Sequence, residues 1–279
     1  MLKTERMDRV RAALRAQGLT QMIVCDPKSV WYLTGVAVEP YERLLALYLP
    51  TEGEPVLFLN RLFNVPEPPC RTVWHTDTDK PVAQIAEVVD AGRPLGIDKE
   101  WPAKFLIPLM ETHPGMQVVL SSDCVDDCRA CKDAEEQTLM REASRINDAV
   151  NEAAKHYIKA GMTEREVAEF IGAQFRAHGC EGPSFTTIVS FGANTADPHH
   201  EPDDTVLKEG DCVLFDMGCV KSRYCSDMTR TWFCGQPTEK QAAVHDLVRR
   251  ANEAAEALIK PGVRLCEPVS YTHLRAHET

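Results

Sequence analysis

The sequence has no apolar run approaching the roughly 18 residues of a membrane-spanning helix, no signal peptide and no sustained cluster of lysine and arginine. The first absence leaves no candidate spanning segment. The N-terminal stretch MLKTERMDRVRAALRAQG reads as a charged amphipathic helix rather than a secretory leader. The 31 Lys and Arg residues against 42 Asp and Glu give a net charge of −11, which argues against nucleic acid or an anionic membrane as a partner, because both demand a basic patch. Disulfides are not indicated either. The 11 cysteines are an odd set, and without a leader they read as reduced thiols of a cytoplasmic protein. Cys124, Cys128 and Cys131 form the only cluster; no second ligand pair lies at zinc spacing, so they are expected to be incidental thiols of a linker. Cys212, Cys219, Cys225 and Cys234 are expected to be small core-filling residues.

What the chain does have is 44% apolar and 26% charged residues over 279 positions, the composition of a folded protein with room for two domains. Its most telling segment is CVLFDMGCVKSRYCSDMTRTWF, residues 212–233. The alternating run from Cys212 to Met217, a turn near Lys221 and Ser222, and a β-rich run from Tyr224 to Phe233 predict a hairpin. A turn centred between 221 and 222 places Asp216 opposite Asp227. Directly opposed residues hold their Cβ atoms about 4.5–5.5 Å apart, and two carboxylates so held repel unless something positive lies between them. A divalent metal fills that role. Arg223 and Arg230, which flank the hairpin, offer the alternative of an ordinary surface ion network.

Upstream, FGANTADPHHEPDDTVLKEGD is a loop rich in Gly, Asn, Asp and Pro that sets His199 and His200 one loop's length before the first aspartate strand. Taken in order, F-G-x-N-x-A-x-P-H-x-x-P, G-D-x-V-L-x-D-x-G and S-D-x-T-R-T resemble the motifs of the pita-bread metallopeptidases, the family of Xaa-Pro aminopeptidases, Xaa-Pro dipeptidases, methionine aminopeptidases and creatinase. The resemblance implies that Asp216 and Asp227 are the first two of five ligands for two divalent ions (manganese, cobalt or zinc), with Asp227 bridging them. It implies that His199 hydrogen-bonds the substrate or its tetrahedral intermediate without being a ligand, and it gives His200 no role. The other three ligands, one histidine and two glutamates, belong in later motifs such as H-G-x-G, and the chain contains none of these.

The first part of the chain, residues 1–125, alternates helix and strand signals. QMIVC, DPKSVWYLTG, LLALYLP and PVLFLN (joined through TEGE), PLGIDK and QVVL, with a helical stretch near 80–91, predict an α/β domain with a mixed sheet. SVWYLTG resembles the start of the creatinase-type N-terminal domain, which methionine aminopeptidases lack, and so favours Xaa-Pro peptidases or creatinase-like hydrolases. Residues 120–132 have the polar, turn-rich character of a linker.

Residues 132–268 are then expected to be the first half of an α+β pita-bread domain. Asp133 and Glu136 cap a long helix ending at Gly161, with Leu139, Ala143, Ile146, Val150, Ala153 and Tyr157 on one face. Thr163 and Glu166 cap a second helix with Val167, Phe170, Ile171 and Phe175 inward; SFTTIVSF is a strand; Thr238 and Gln241 cap a closing helix. Residues 269–279 show no apolar periodicity and are set aside as a non-native tail, which removes His273, His277 and Glu278 from the ligand candidates.

The resulting expectation is an incomplete piece of a metal-dependent peptidase that cleaves the bond between an N-terminal residue and proline. It takes proline-containing peptides, is a homodimer when complete, and is inactive and poorly folded beyond residue 132 as the fragment, with an apolar face and an unpaired edge left at the aspartate hairpin. A creatinase-type amidinohydrolase and a non-catalytic peptide-binding pita-bread module are the alternatives.

Overall fold

The computed structural model describes residues 2–269; the 270–279 part of the expected tail, with His273, His277 and Glu278, lies outside them. The chain divides into two compact units, Met1–Lys132 and Asp133–Thr279.

The first unit runs α1 (Thr4–Ala16), β1 (Gln21–Val24), α2 (Pro27–Thr34), β2 (Ala46–Pro50), β3 (Val56–Asn60), β4 (Arg71–His75), α3 (Pro81–Ala86), β5 (Leu95–Ile97), α4 (Ala103–Thr112), β6 (Val118–Leu120) and α5 (Asp123–Ala130). Its six strands form one mixed sheet in the order β4-β3-β2-β1-β5-β6. The turn after Pro50 makes β2 and β3 antiparallel, whereas β5 joins β1 in parallel through a helical crossover. Because successive strand residues point to opposite faces, Met22 and Val24 pack with α1, α2 and α5 on one side, and Ile23 packs with Ile85 and Leu109 on the other.

One sequence reading needs correction in this unit, and one left open between helix and strand is settled. DPKSVWYLTG is a helix with flanking caps. Asp26 accepts hydrogen bonds from the Lys28 and Ser29 amides at 3.2 and 2.9 Å, Pro27 takes the first helical position, and Gly35 at φ 75° closes the end; this cap chemistry outweighs the β-branched and aromatic content. The expected linker is largely α5, whose Cys124, Val125 and Cys128 are buried in the core against α1. Two of its three cysteines are thus core residues on one helical face; Cys131 is exposed. Burial pushes the Cys124 thiol up to about 11.

The second unit runs α6 (Ala134–Tyr157), α7 (Glu164–Ala177), β7 (Gly182–Pro183), β8 (Ile188–Phe191), β9 (Cys212–Met217), β10 (Cys219–Lys221), β11 (Tyr224–Cys225), β12 (Met228–Phe233) and α8 (Glu239–Glu256). The capping boxes at Asp133/Glu136, Thr163/Glu166 and Thr238/Gln241 all form. α6 stops at Tyr157, short of Gly161, and its buried stripe passes through Ala143, Asn147, Val150 and Ala154. Ala153 and Tyr157 lie off it; Tyr157 stacks on Phe170 at 3.9 Å instead.

The strands make two three-stranded sheets, β12-β9-β8 and β11-β10-β7. Val213, Phe215 and Met217 alternate inward along β9 onto Val167, Ile171 and Phe175 of α7; each such side chain contributes roughly 1.5–3 kcal/mol by burial. β12 is an edge strand, and Val244 and Val248 of α8 are 45% and 60% exposed. Of the four cysteines around the hairpin only Cys219 is buried; Cys212 and Cys234 are half-buried and Cys225 is exposed, because 225 falls on the outward side of a two-residue strand.

Candidate active site

The aspartate hairpin turns one residue later than its sequence suggests. Lys221 pairs with Tyr224, so Ser222 and Arg223 form the two-residue loop, both left-handed at φ 50° and 67°. That is the geometry of a type I′ turn, which favours Asn-Gly; Ser-Arg carries no such signal, and this is why the centre was misplaced. The shift carries through the ladder. Asp216 lies opposite Thr229, not Asp227, and Asp227 is the diagonal neighbour on the same face, a relation that spans about 7–8 Å between backbones but is within reach of side chains.

The two carboxyls meet nonetheless. Pairing is interrupted between β9 and β10 and between β11 and β12, where Gly218 faces Ser226. A Cβ built on Gly218 would lie 1.9 Å from the Ser226 carbonyl oxygen and 2.3 Å from Ser184 Oγ. Ser226 donates its amide to the Cys219 carbonyl at 2.9 Å, and Ser184 Oγ donates to the Ser226 carbonyl at 2.8 Å. This clasp holds Asp227 against Asp216.

Burial pushes the Asp216 carboxyl above its ordinary range, the Asp227 charge adds to the rise, and a hydrogen bond with the Thr229 side chain opposes it. Asp216 Oδ1 is buried and has no hydrogen-bond partner. An orphaned carboxylate oxygen beside a second carboxylate is the donor set of a hard or borderline divalent cation. Asp227 is exposed along a groove of about 1280 Å³, shared with Asn147 and Asp148 of α6 and His245 and Arg249 of α8. Arg230 turns to the backbone: its Nη1 donates to the Thr229 carbonyl at 2.8 Å. No third His, Cys, Asp or Glu among the described residues joins Asp216 and Asp227 in a ligand group.

His199 sits in the loop after β8, exposed, its amide donating to Asp197 Oδ1 at 2.9 Å. Among the described residues its ring makes no hydrogen bond, and none links it to the aspartates. His200, for which the sequence offered no role, is engaged: its Nε2 lies 2.6 Å from Glu164 Oε2, and Asn194 Nδ2 is 3.2 Å away. Glu164, His200 and Asp203 place ligand-type atoms within 4.8 Å of one another. Sequence reading passed over Glu164 because it falls inside the cap sequence Thr163–Glu166, where Thr163 and Glu166 account for the local signal.

A mixed-sheet α/β unit followed by a helix-backed aspartate hairpin defines the class of creatinase-fold metallohydrolases. The chain belongs to metallopeptidase family M24: that family's model matches residues 138–273, and the Creatinase/Prolidase N-terminal domain matches residues 6–131. An uncharacterized peptidase of Staphylococcus aureus is 33% identical over 253 residues, 87% of this chain and 70% of that protein. Among solved structures, a prolidase from Thermococcus sibiricus superposes with a TM-score of 0.91 at 28% identity, covering all of this chain and 78% of that one. A dipeptidase from Mycobacterium ulcerans gives 0.90 at 29% identity, covering 99% and 76%. The protein is therefore an M24-type peptidase with a creatinase-like N-terminal domain preceding a pita-bread domain, and the family's chemistry uses divalent metals. No helix among the described residues is long and apolar enough to cross a membrane.

Proposed function

We propose that this chain carries the N-terminal domain and the first metal-holding hairpin of a cytoplasmic Xaa-Pro peptidase that uses two divalent ions. The observation that carries the reading is the unpartnered, buried Oδ1 of Asp216, in a carboxyl that lies beside that of Asp227. Asp216 and Asp227 would hold the ions, Asp227 from the exposed groove side. When bound, two such ions supply a nucleophile at neutral pH and polarise the scissile carbonyl.

The remaining steps fall to the chain's own residues. Thr229, opposite Asp216 in the ladder, favours the charged form of its carboxyl. His199, with its ring unengaged, donates a hydrogen bond to the oxygen that gains charge as the carbonyl becomes tetrahedral. The prolidase neighbour supports a substrate with proline after the cleaved bond, and the dipeptidase neighbour a short peptide. The paired carboxylates count against an amidinohydrolase reaction of the creatinase type, which needs no metal. The three further ligands that the fold family implies would come from sequence of the kind the relatives carry outside the matched region, since the match covers 70–78% of their length.

The test is hydrolysis of Xaa-Pro dipeptides and Xaa-Pro-Xaa tripeptides by the full-length protein with added manganese. Cleavage on the amino side of proline is expected; cleavage indifferent to proline would remove the substrate assignment.

A further inference from the structure

Glu164 is fully buried and accepts four hydrogen bonds from one loop. Its Oε1 takes the Phe191 amide at 2.7 Å and Asn194 Nδ2 at 3.0 Å; its Oε2 takes His200 Nε2 at 2.6 Å and the Asp203 amide at 3.2 Å. The backbone adds to the same junction, with the Glu164 amide donating to the Thr205 carbonyl and the Arg165 amide to the Asp203 carbonyl, both at 3.1 Å. Both ends of the segment 191–205 and three points within it, Asn194, His200 and Asp203, are thus tied to the first turn of α7. A carboxylate has about four acceptor sites, and all are used. The Glu164–His200–Asp203 cluster therefore has the ligand types of a metal site but no acceptor capacity left on its buried member, and its chemistry is that of a clamp.

The clamp bears on the residue beside it. With the His200 side chain only 14% exposed and held at Glu164, and with the His199 amide held by Asp197 Oδ1, the backbone at 199 has little freedom, while His199 itself is exposed. We propose that Glu164 is a positioning residue of the peptidase reaction, setting where His199 presents its imidazole by gripping His200. This rests on the reading that His199 assists at the scissile carbonyl. A displacement of about 1 Å in such a group costs on the order of 10²-fold in rate, so the clamp acts on turnover more than on substrate or metal binding.

The test is a cycle of Glu164→Gln, His199→Ala and the double variant in the manganese-loaded full-length protein. It is read as kcat and KM on an Xaa-Pro dipeptide, metal content, and hydrogen exchange of the 191–205 amides. The glutamine amide retains one acceptor oxygen but turns an NH₂ toward either the His200 or the Phe191 side, where donors already point. Glu164→Gln is expected to lower kcat roughly 10–100-fold with KM and metal content nearly unchanged, to speed exchange at Phe191 or Asp203, and to add nothing in the His199→Ala background. His200→Gln, which leaves Glu164 and its backbone donors in place, should reproduce the kcat loss and serves if Glu164→Gln does not fold. A Glu164→Gln effect that adds in full to that of His199→Ala, loss of metal with it, or a His200→Gln enzyme with parental kcat would each overturn the inference. The underlying reading fails in a different way: His199→Ala itself would then retain parental kcat, and the clamp would have no catalytic group to position.

Discussion

Asp216 stands opposite Thr229 in the β9–β12 ladder, yet the carboxyl it meets is that of Asp227, two residues nearer the turn. The diagonal relation gives each aspartate a different environment, Asp216 half-buried with an unpartnered oxygen and Asp227 exposed on the groove. Different consequences follow for the two residues and for the histidine in the preceding loop.

Asp227→Asn in the full-length protein should abolish hydrolysis and lower metal content while leaving the fold intact, because the amide is isosteric and relieves the repulsion with Asp216. His199→Ala should differ in kind, keeping metal while turnover falls roughly 10²–10³-fold, as for loss of an oxyanion donor. Metal analysis beside kinetics separates the two. Loss of metal in His199→Ala would make His199 a ligand.

Asp216 also contributes to the pH dependence of the metal-free protein. A carboxyl whose folded-state pKa lies above its unfolded value of about 3.9 favours the protonated form in the fold. Its contribution is therefore fully present below the unfolded value and is lost as pH rises through the folded one. Burial and Asp227 raise Asp216 in this way, so at neutral pH its charge opposes folding. Asp216→Asn should raise the melting temperature of the metal-free protein at pH 7, and the advantage should shrink as pH falls toward about 4. An advantage that grows on acidification would contradict the assigned direction.

Gly218 is where the hairpin has no tolerance. Because an added Cβ meets the Ser226 carbonyl at 1.9 Å, and backbone cannot swing aside as a side chain can, Gly218→Ala should destabilise the second unit by about 3 kcal/mol and weaken metal binding by displacing Asp227. Chemical denaturation and manganese titration measure both. A variant with parental stability and affinity would show that Ser226 is not the fixed point it is taken to be.

Much of this was legible in the sequence. The three capping boxes, the β2–β3 hairpin and the alternation of β9 rest on local chemistry that one or two residues announce, and all of them form. The motif order around His199, Asp216 and Asp227 pointed to the family that the domain matches show. What was misread or left open depends on context. SVWYLTG has strand-like composition, but Asp26, Pro27 and Gly35 at its borders make it a helix. The 120–132 segment looks polar in sequence because α5 buries only one face, with Cys124 and Cys128 on it. The Ser222–Arg223 turn has no glycine to mark it, so the turn centre lies one residue later than expected and the pairing shifts by two. Glu164 was invisible as a functional candidate because its partners, Asn194, His200 and Asp203, lie 30, 36 and 39 residues away.

A polypeptide limited to residues 1–279 should bind manganese no more tightly than about millimolar, as expected for a site with few charged ligands, because only two carboxylates converge at the hairpin among the described residues. Asp216→Asn should remove even that binding in a calorimetric titration. Micromolar affinity would mean that the ligand set is complete within these residues.

The central claim, that the Asp216–Asp227 pair holds the metal on which Xaa-Pro cleavage depends, is tested most directly by one assay: hydrolysis of Gly-Pro by the full-length protein before chelation, after it, and after manganese is restored, with Asp227→Asn carried in parallel. The account predicts cleavage that disappears on chelation, returns with manganese in the parent and never returns in Asp227→Asn. Cleavage that survives chelation, or that Asp227→Asn recovers to within about tenfold of the parent, a loss no larger than a supporting residue produces, would contradict it.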